Sequence, residues 1–177
     1  MDDDLARLDA FLKPLLQDLD GASRTSEVER VAAIARRIAP ESAATRSFEL
    51  LVRFRLLAHW LGRVGNLSRA ALTTGLSDAE LSRTAASVQA LDDPQSSEER
   101  AVAAAAMIDA AGVRGLAERF GRGRREGHSV LEVASEAMTE NEVPQWMNDA
   151  ASALLAKRRA ARDAFCREIL EEARGED

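Results

Sequence analysis

The chain has 177 residues, 24 Lys+Arg against 30 Asp+Glu, a net charge of −6, and 46% hydrophobic residues. A chain of this length can hold a core without disulfides or metals, and its composition excludes disordered, collagen-like and low-complexity classes. The acidic balance argues against nucleic acid as a partner. Because the sequence contains one cysteine, Cys166, an intrachain disulfide and a cysteine-based zinc site are also excluded.

The ends and the apolar runs of the sequence bear on its location. Residues Met1–Asp4 are acidic and lack the basic and apolar segments of a secretory signal. No apolar run approaches the length of about 20 residues that a membrane-spanning helix needs. We therefore expect a cytoplasmic protein without a membrane partner.

The composition also predicts the fold class. Tyrosine is absent, β-branched runs are scarce and alanine is abundant, so helix is favoured along the chain and no strand is predicted. No linker and no internal repeat divides the chain. We predict an all-α, single-domain helical bundle, with an N-terminal helix over 1–22, a helical core over 23–173 and a tail over 174–177.

Two helices are predicted at the N-terminus. Leucines at helical spacing indicate a first helix, which Pro14 should kink or restart and Gly21 should end. Ser26 and Glu29 have the spacing of a capping box, in which a side chain at each position binds the backbone of the other. They predict the start of the second helix.

The middle of the chain contains the most apolar segment. A long helix over 43–63, apolar on more than one side, is expected to be the most buried element. Ser77 and Glu80 form another capping-box pattern. Ser97 is expected to cap the helix that follows, and Gly112 to lie just beyond its C-terminus.

The last third of the sequence begins with a short predicted helix over 113–120 and a glycine-rich loop over 121–127, expected to be the most mobile segment. A helix over 129–138 follows, and Pro144 is placed in the first turn of the last helix. The inner stripe of that last helix is predicted to comprise Met147, Ala150, Leu154, Ala161, Phe165 and Ile169.

Histidine is scarce, since His59 and His128 are the only two in the sequence, and this excludes sites that need several imidazoles. His59 follows Arg55 by four residues in the most apolar predicted helix, where a nearby cation favours the neutral imidazole. Such a residue is either a packed histidine or a general acid or base. His128 is expected at a helix start beside solvent.

Two groups of arginines are candidates for binding an anion. Arg53 and Arg55 interrupt an apolar helix, and a buried guanidinium needs a carboxylate or a bound anion. Asp109 is the expected ion-pair partner; the alternative is a pocket in which an arginine, His59 and an acid hold a small anion. The second group lies in or beside the glycine-rich loop, where arginines and backbone amides could bind phosphate or simply be solvated. Its members are Arg119, Arg122, Arg124 and Arg125.

Four segments together resemble a known family. Residues 101–120 are similar to a segment of HD-superfamily phosphohydrolases in which an acidic Asp-Ala-Asp is followed by Leu-Asp-Ala, Gly-x-x-Gly and an Arg/Phe pair. Residues 56–62 are similar to the family's Leu-Leu-His-Asp-Ile-Gly, and residues 27–31 to its His-x-x-Arg-Val. The final helix, with 157–159 before Phe165, is similar to the family's closing helix.

The resemblance implies an HD-type helical fold and a divalent metal that activates water against phosphate esters. The positions of the metal ligands fall on Glu27, His59, Trp60 and Ala104. An indole and a methyl group donate no electron pair to a metal, so too few ligands remain for a tight site. We therefore expect the fold without the metal centre, and no cofactor.

The predicted function is accordingly the binding of a small organic or anionic molecule, or of a protein partner, without hydrolysis. The predicted pocket is lined by Glu27, Arg55, His59, Trp60, Ala104, Met107 and Asp109. One alternative is a metal-independent enzyme with His59 as general acid or base. Another is a metal-dependent phosphohydrolase acting on a nucleotide or another phosphoester. Homodimerisation through the last helix is a further expectation.

Overall fold

The regular structure of this protein is helical. The computed structural model describes residues 2–18, 23–61, 65–140 and 142–174, and at residues 2, 3, 17, 18, 23–25, 59, 60 and 67 it describes the backbone alone. These ranges contain no strand, so the predicted all-α class is confirmed. None of their helices is long and apolar enough to cross a membrane.

The chain divides into two compact units, residues 1–103 and 104–177, and the single-domain organisation stays a prediction. The helices of the first unit are α1 (Asp2–Asp18), α2 (Ser23–Ile38), α3 (Arg46–Phe54), α4 (Ala58–Leu61), α5 (Asn66–Thr74), α6 (Asp78–Gln89) and the start of α7 (Ser97–Ala110). The second unit contains the rest of α7, α8 (Val113–Glu126), α9 (Val130–Thr139) and α10 (Asp149–Arg174).

Helix α3 is the centre of the first unit, where it packs against α2 and α6. Its buried residues are Phe48, Leu50, Leu51, Val52 and Phe54, which agrees with the expectation that this segment is the most buried. The expected single helix over 43–63 is wrong. Thr45 Oγ1 accepts a hydrogen bond from the Phe48 amide (3.1 Å) and thereby starts α3, and a 3₁₀ turn at Arg55–Leu57 separates it from α4.

The first two helices differ from the sequence prediction in their ends. Helix α1 runs through Pro14 as one element, so the predicted restart is wrong, and Gly21 lies outside the described residues. Helix α2 begins at Ser23, which places Ser26 inside it. Ser26 Oγ accepts a hydrogen bond from Arg30 Nη1 (3.1 Å) rather than capping the helix, so the predicted capping box at Ser26 is wrong.

The caps of α6 and α7 follow the same chemistry. The capping box at Ser77 is confirmed, because the Glu80 amide donates to Ser77 Oγ (3.2 Å) and the Ser77 amide donates to Glu80 Oε2 (3.0 Å). At α7 the cap is Ser96, not Ser97, since the Glu99 amide donates to Ser96 Oγ (3.2 Å) and the Ser96 amide to Glu99 Oε2 (3.0 Å).

In the second unit, α8, α9 and α10 pack against one another. A cluster of buried residues lies between them: Leu116, Ala134, Ala137 and Cys166, with Phe120, Met138, Ile169 and Leu170 packed against it. Helix α9 begins directly after Ser129, close to its predicted start, and Ser129 Oγ accepts a hydrogen bond from the Glu132 amide (3.2 Å).

The predicted glycine-rich loop is helical. Helix α8 continues to Glu126 and ends at Gly127, whose φ of 85° is left-handed. A Cβ at Gly123 would lie 2.6 Å from Val133 Cγ2, so the missing side chain lets α8 approach α9, and this packing outweighs the low helix propensity of glycine. Gly112 lies just beyond the end of α7 at Ala110, as predicted, but its φ is −84° and it is the N-cap of α8.

Helix α10 begins later in the sequence than predicted, and a different set of its residues is buried. Asn148 Oδ1 accepts a hydrogen bond from the Ala151 amide (2.8 Å), so Pro144 lies ahead of the helix rather than in its first turn. The buried positions are Ala151, Leu155, Arg162 and Cys166. This stripe is displaced by one residue from the predicted stripe, and Phe165 is 41% exposed. The displacement places an arginine inside the unit.

Candidate functional site

The structure brings together two residues of the predicted pocket. Arg55 Nη2 lies 2.5 Å from Glu27 Oε1, and both side chains are largely buried. The side chains of His59 and Trp60 lie outside the described residues. The remaining three members of the predicted pocket, Ala104, Met107 and Asp109, belong to α7 within the second unit. The pocket as a whole therefore stays a prediction.

The second arginine of the apolar segment is also in an ion-pair network. Arg53 Nε lies 2.7 Å from Asp9 Oδ1, and Arg53 also pairs with Glu49. Burial alone would raise the pKa of Glu49, but hydrogen bonds from Arg36 and Arg53 and their charges outweigh burial and lower it. Within the first unit Arg53 and Arg55 thus already have carboxylate partners, and the expected pairing with Asp109 stays a prediction.

A groove of about 470 Å³ lies in the first unit between α3, α6 and the start of α7. The buried side chains of Leu50 and Leu51 line it, together with Arg46. Arg46 Nε lies 2.9 Å from Glu80 Oε1, and Arg46 Nη2 lies 3.4 Å from Asp4 Oδ2. Arg46 is thus already bound by two carboxylates, and Arg83, which also lines the groove, donates to the backbone oxygen of Ala79.

A cluster of three arginines in the second unit is the stronger candidate for binding an anion. Arg119 Nη1 and Nη2 donate to Glu140 Oε1 and Oε2, both at 2.6 Å. Arg162 Nη1 lies 3.9 Å from the same carboxylate, and Arg159 Nη2 donates to the backbone oxygen of Glu142 (2.9 Å). Three guanidinium groups, one from α8 and two from α10, thus converge on the segment that follows α9. We call these residues the arginine cluster.

The cluster contains buried donors that lack an acceptor. Arg162 is 1% exposed, and its Nε donates to Asp163 Oδ1 (2.8 Å). Its Nη2 lies 2.8 Å from the same oxygen but makes no hydrogen bond, and among the described residues the buried Arg159 Nε has no acceptor either. Buried donors are nearly always hydrogen-bonded and are costly when they are not, so these two nitrogens are exceptions to that rule.

A cavity of about 370 Å³ lies beside the cluster. Its residues are Arg119, Arg122, Gly123, Glu126, His128, Val133, Glu136 and Glu140. The Arg122 guanidinium has no partner in the part of the chain that the structure describes. Of the four arginines predicted as anion ligands, Arg119 and Arg122 therefore line the cavity, whereas Arg124 and Arg125 are not among its lining residues.

The electrostatics of the cluster keep Glu140 ionised. Its pKa is lowered chiefly by the hydrogen bonds from Arg119, while burial opposes this shift and the charges of Arg162 and Arg159 add to it. The pKa of the neighbouring Cys166 thiol is raised, mainly by burial, so Cys166 is a packed thiol rather than a nucleophile.

Sequence reasoning missed Arg159, Arg162 and Glu140. The predicted inner stripe of α10 contains no arginine, whereas the observed buried stripe includes Arg162. Spacing alone contained a usable signal, because Ala151, Leu155, Arg162 and Cys166 share one helix face. Among the described residues, no group of three or more His, Cys, Asp or Glu residues is placed to hold a metal ion.

Comparison of the chain with known proteins finds no matching family model, no similar curated protein and no similar solved structure. The described residues define an all-α protein whose second unit contains a partly buried arginine cluster beside a cavity.

Proposed function

We propose that this chain is a non-hydrolytic binding protein that holds a small organic anion at the arginine cluster. The observation that carries the proposal is that Arg119 and Arg122 line one cavity and that Arg122 has no partner among the described residues. Arginine side chains present paired N–H donors that match the oxygens of a carboxylate or phosphate. The adjoining cavity, about 370 Å³ in volume, is within the size range of small-molecule sites.

The resemblance to the HD superfamily belongs to the same proposal. An HD-like helical framework that has lost its metal ligands can retain its fold and use another surface for binding, because function depends on the site rather than on the fold. The pocket around His59, its use as an acid or base, a protein partner and a cytoplasmic location stay predictions.

The proposal is tested by titrating glutarate into the purified full-length chain at constant ionic strength, following the arginine Nε–Hε signals by NMR. We expect saturable shifts in the wild type. Arg119→Gln should raise the Kd at least about tenfold, since it removes a charge-assisted pair of hydrogen bonds. Arg124→Gln is the matched control, because it removes the same charge from the same helix away from the cavity.

Two outcomes would contradict the proposal. One is the absence of a saturable shift both in the wild type and in Glu140→Gln, which lacks the internal carboxylate. The other is an equal loss of affinity in Arg119→Gln and Arg124→Gln, which would indicate general attraction by positive charge rather than a site.

A further inference from the structure

Glu140 occupies the arginine cluster as a bound carboxylate would. Its two oxygens receive parallel hydrogen bonds of 2.6 Å from the two terminal nitrogens of Arg119, the arrangement typical of carboxylate recognition by arginine. Glu140 directly follows the last residue of α9, Thr139, and its side chain is 50% exposed. The side chain can therefore turn into solvent without breaking a helical hydrogen bond.

Displacement of Glu140 would present two cations to the cavity. Arg119 and Arg122 are three residues apart on α8, so their side chains lie on the same face of the helix, and both line the cavity. Arg119 would lose its present partner, and Arg122 has none among the described residues. Two neighbouring guanidinium groups match two carboxylates joined by a short chain.

The other charges of the cavity limit the charge of the ligand. The carboxylates of Glu126 and Glu136 line the same cavity, so negative charge beyond what the two arginines neutralise would be repelled. A planar carboxylate also reproduces the geometry that Glu140 already shows with Arg119.

We infer that the ligand is a small dicarboxylate, with one carboxylate on Arg119 and the other on Arg122, and that Glu140 is a built-in competitor for it. This inference rests on the proposed function. Binding exchanges the Glu140–Arg119 pair for a ligand–Arg119 pair, and the affinity is reduced by the fraction of molecules in which Glu140 occupies the site.

The test compares three probes, glutarate, butyrate and inorganic phosphate, on the full-length chain by the same NMR titration. Glu140→Gln should lower the Kd for glutarate about tenfold, the factor expected when a competitor that occupies the site about nine-tenths of the time is removed. Glu168→Gln, an exposed residue of α10 outside the cavity, is the charge-matched control and should leave the Kd unchanged.

A second variant tests the two-point attachment. In the Glu140→Gln background, Arg122→Gln should raise the Kd for glutarate to near the Kd for butyrate, and should leave butyrate binding unchanged because butyrate uses Arg119 alone. The inference is overturned if Glu140→Gln binds glutarate no better than Glu168→Gln does, if phosphate binds more tightly than glutarate, or if Arg122→Gln weakens both organic anions equally. In each case the Arg119-dependent binding of the proposed function would survive. The proposed function itself fails if no saturable binding is seen, or if Arg119→Gln and Arg124→Gln lose affinity equally.

Discussion

Two glycines of α8, two residues apart, should respond in opposite directions to the same substitution. Gly121 and Gly123 both lie inside the helix. A Cβ at Gly121 would meet nothing within 4 Å, whereas a Cβ at Gly123 would lie 2.6 Å from Val133 Cγ2. Gly121→Ala therefore tests helix propensity alone, and Gly123→Ala tests propensity against packing between α8 and α9.

The magnitudes follow from these contacts. Alanine is more favourable than glycine inside a helix by about 1 kcal/mol, so Gly121→Ala should raise the free energy of unfolding by about that amount. The same gain applies at Gly123, but forcing a methyl group into a packed interface costs about 1–3 kcal/mol. Because a contact of 2.6 Å requires Val133 or the helix to move, we expect Gly123→Ala to be destabilising, by up to about 2 kcal/mol net.

Thermal unfolding of the full-length chain measures both effects. For a chain of this size about 1 kcal/mol corresponds to a change in Tm of about 2–4 °C, so the two single variants should differ clearly. In a Val133→Ala background the obstructing methyl group is absent, and Gly123→Ala should become stabilising, as Gly121→Ala is.

The result that would refute this reasoning is a Gly123→Ala variant as stable as Gly121→Ala, or one whose destabilisation persists in the Val133→Ala background. Either outcome would mean that the approach of α8 to α9 does not require a glycine at position 123. The helical assignment of the predicted loop would then need a different explanation.

Three further predictions concern stability. Ser77→Ala, which removes the capping box of α6, should cost about 1 kcal/mol in thermal unfolding, whereas Ser82→Ala in the exposed middle of the same helix should be neutral or slightly stabilising. Burial would by itself raise the pKa of Glu49, but the hydrogen bonds and charges of its two arginine partners lower it. The resulting stabilisation is present above the unfolded-state pKa of Glu49 and is lost as the pH falls through the lower folded-state pKa. Acid titration of unfolding free energy should therefore be less steep for Glu49→Gln, and equal slopes would contradict this. Arg162→Met, which removes the buried cation, should change the unfolding free energy by no more than about 1 kcal/mol. Asp163→Asn leaves that cation without its nearest carboxylate and should cost about 3 kcal/mol. Urea unfolding measures both, and a larger loss in Arg162→Met than in Asp163→Asn would contradict this prediction.

Local sequence patterns predicted the elements whose causes are local. The capping box at Ser77 involves two side chains and two amides within four residues, so the pattern alone was sufficient to place the start of α6. The same pattern at Ser26 was misleading, because α2 begins three residues earlier at Ser23. A serine inside a helix and a serine at its start differ in backbone conformation, which the side chains alone do not specify.

Local reasoning missed the arginine cluster for a similar reason. Lysine and arginine are usually exposed, and the predicted inner stripe of α10 accordingly contains no arginine. The burial of Arg162 depends on the rotation of α10 by one residue, which is decided by what α10 packs against in the second unit. The partners of Arg119 and Arg162 include Glu140, whose position follows from the path of the chain after α9.

The sequence by itself determined that this protein is helical, because alanine-rich composition and the scarcity of strand-forming residues act on every residue without reference to distant ones. The tertiary structure decided that α8 continues through three glycines and that an arginine is buried in α10. Both outcomes depend on the packing of α8, α9 and α10 against one another. Contacts between helices distant along the chain override local propensity whenever the packing they allow is worth more than about 1 kcal/mol per glycine.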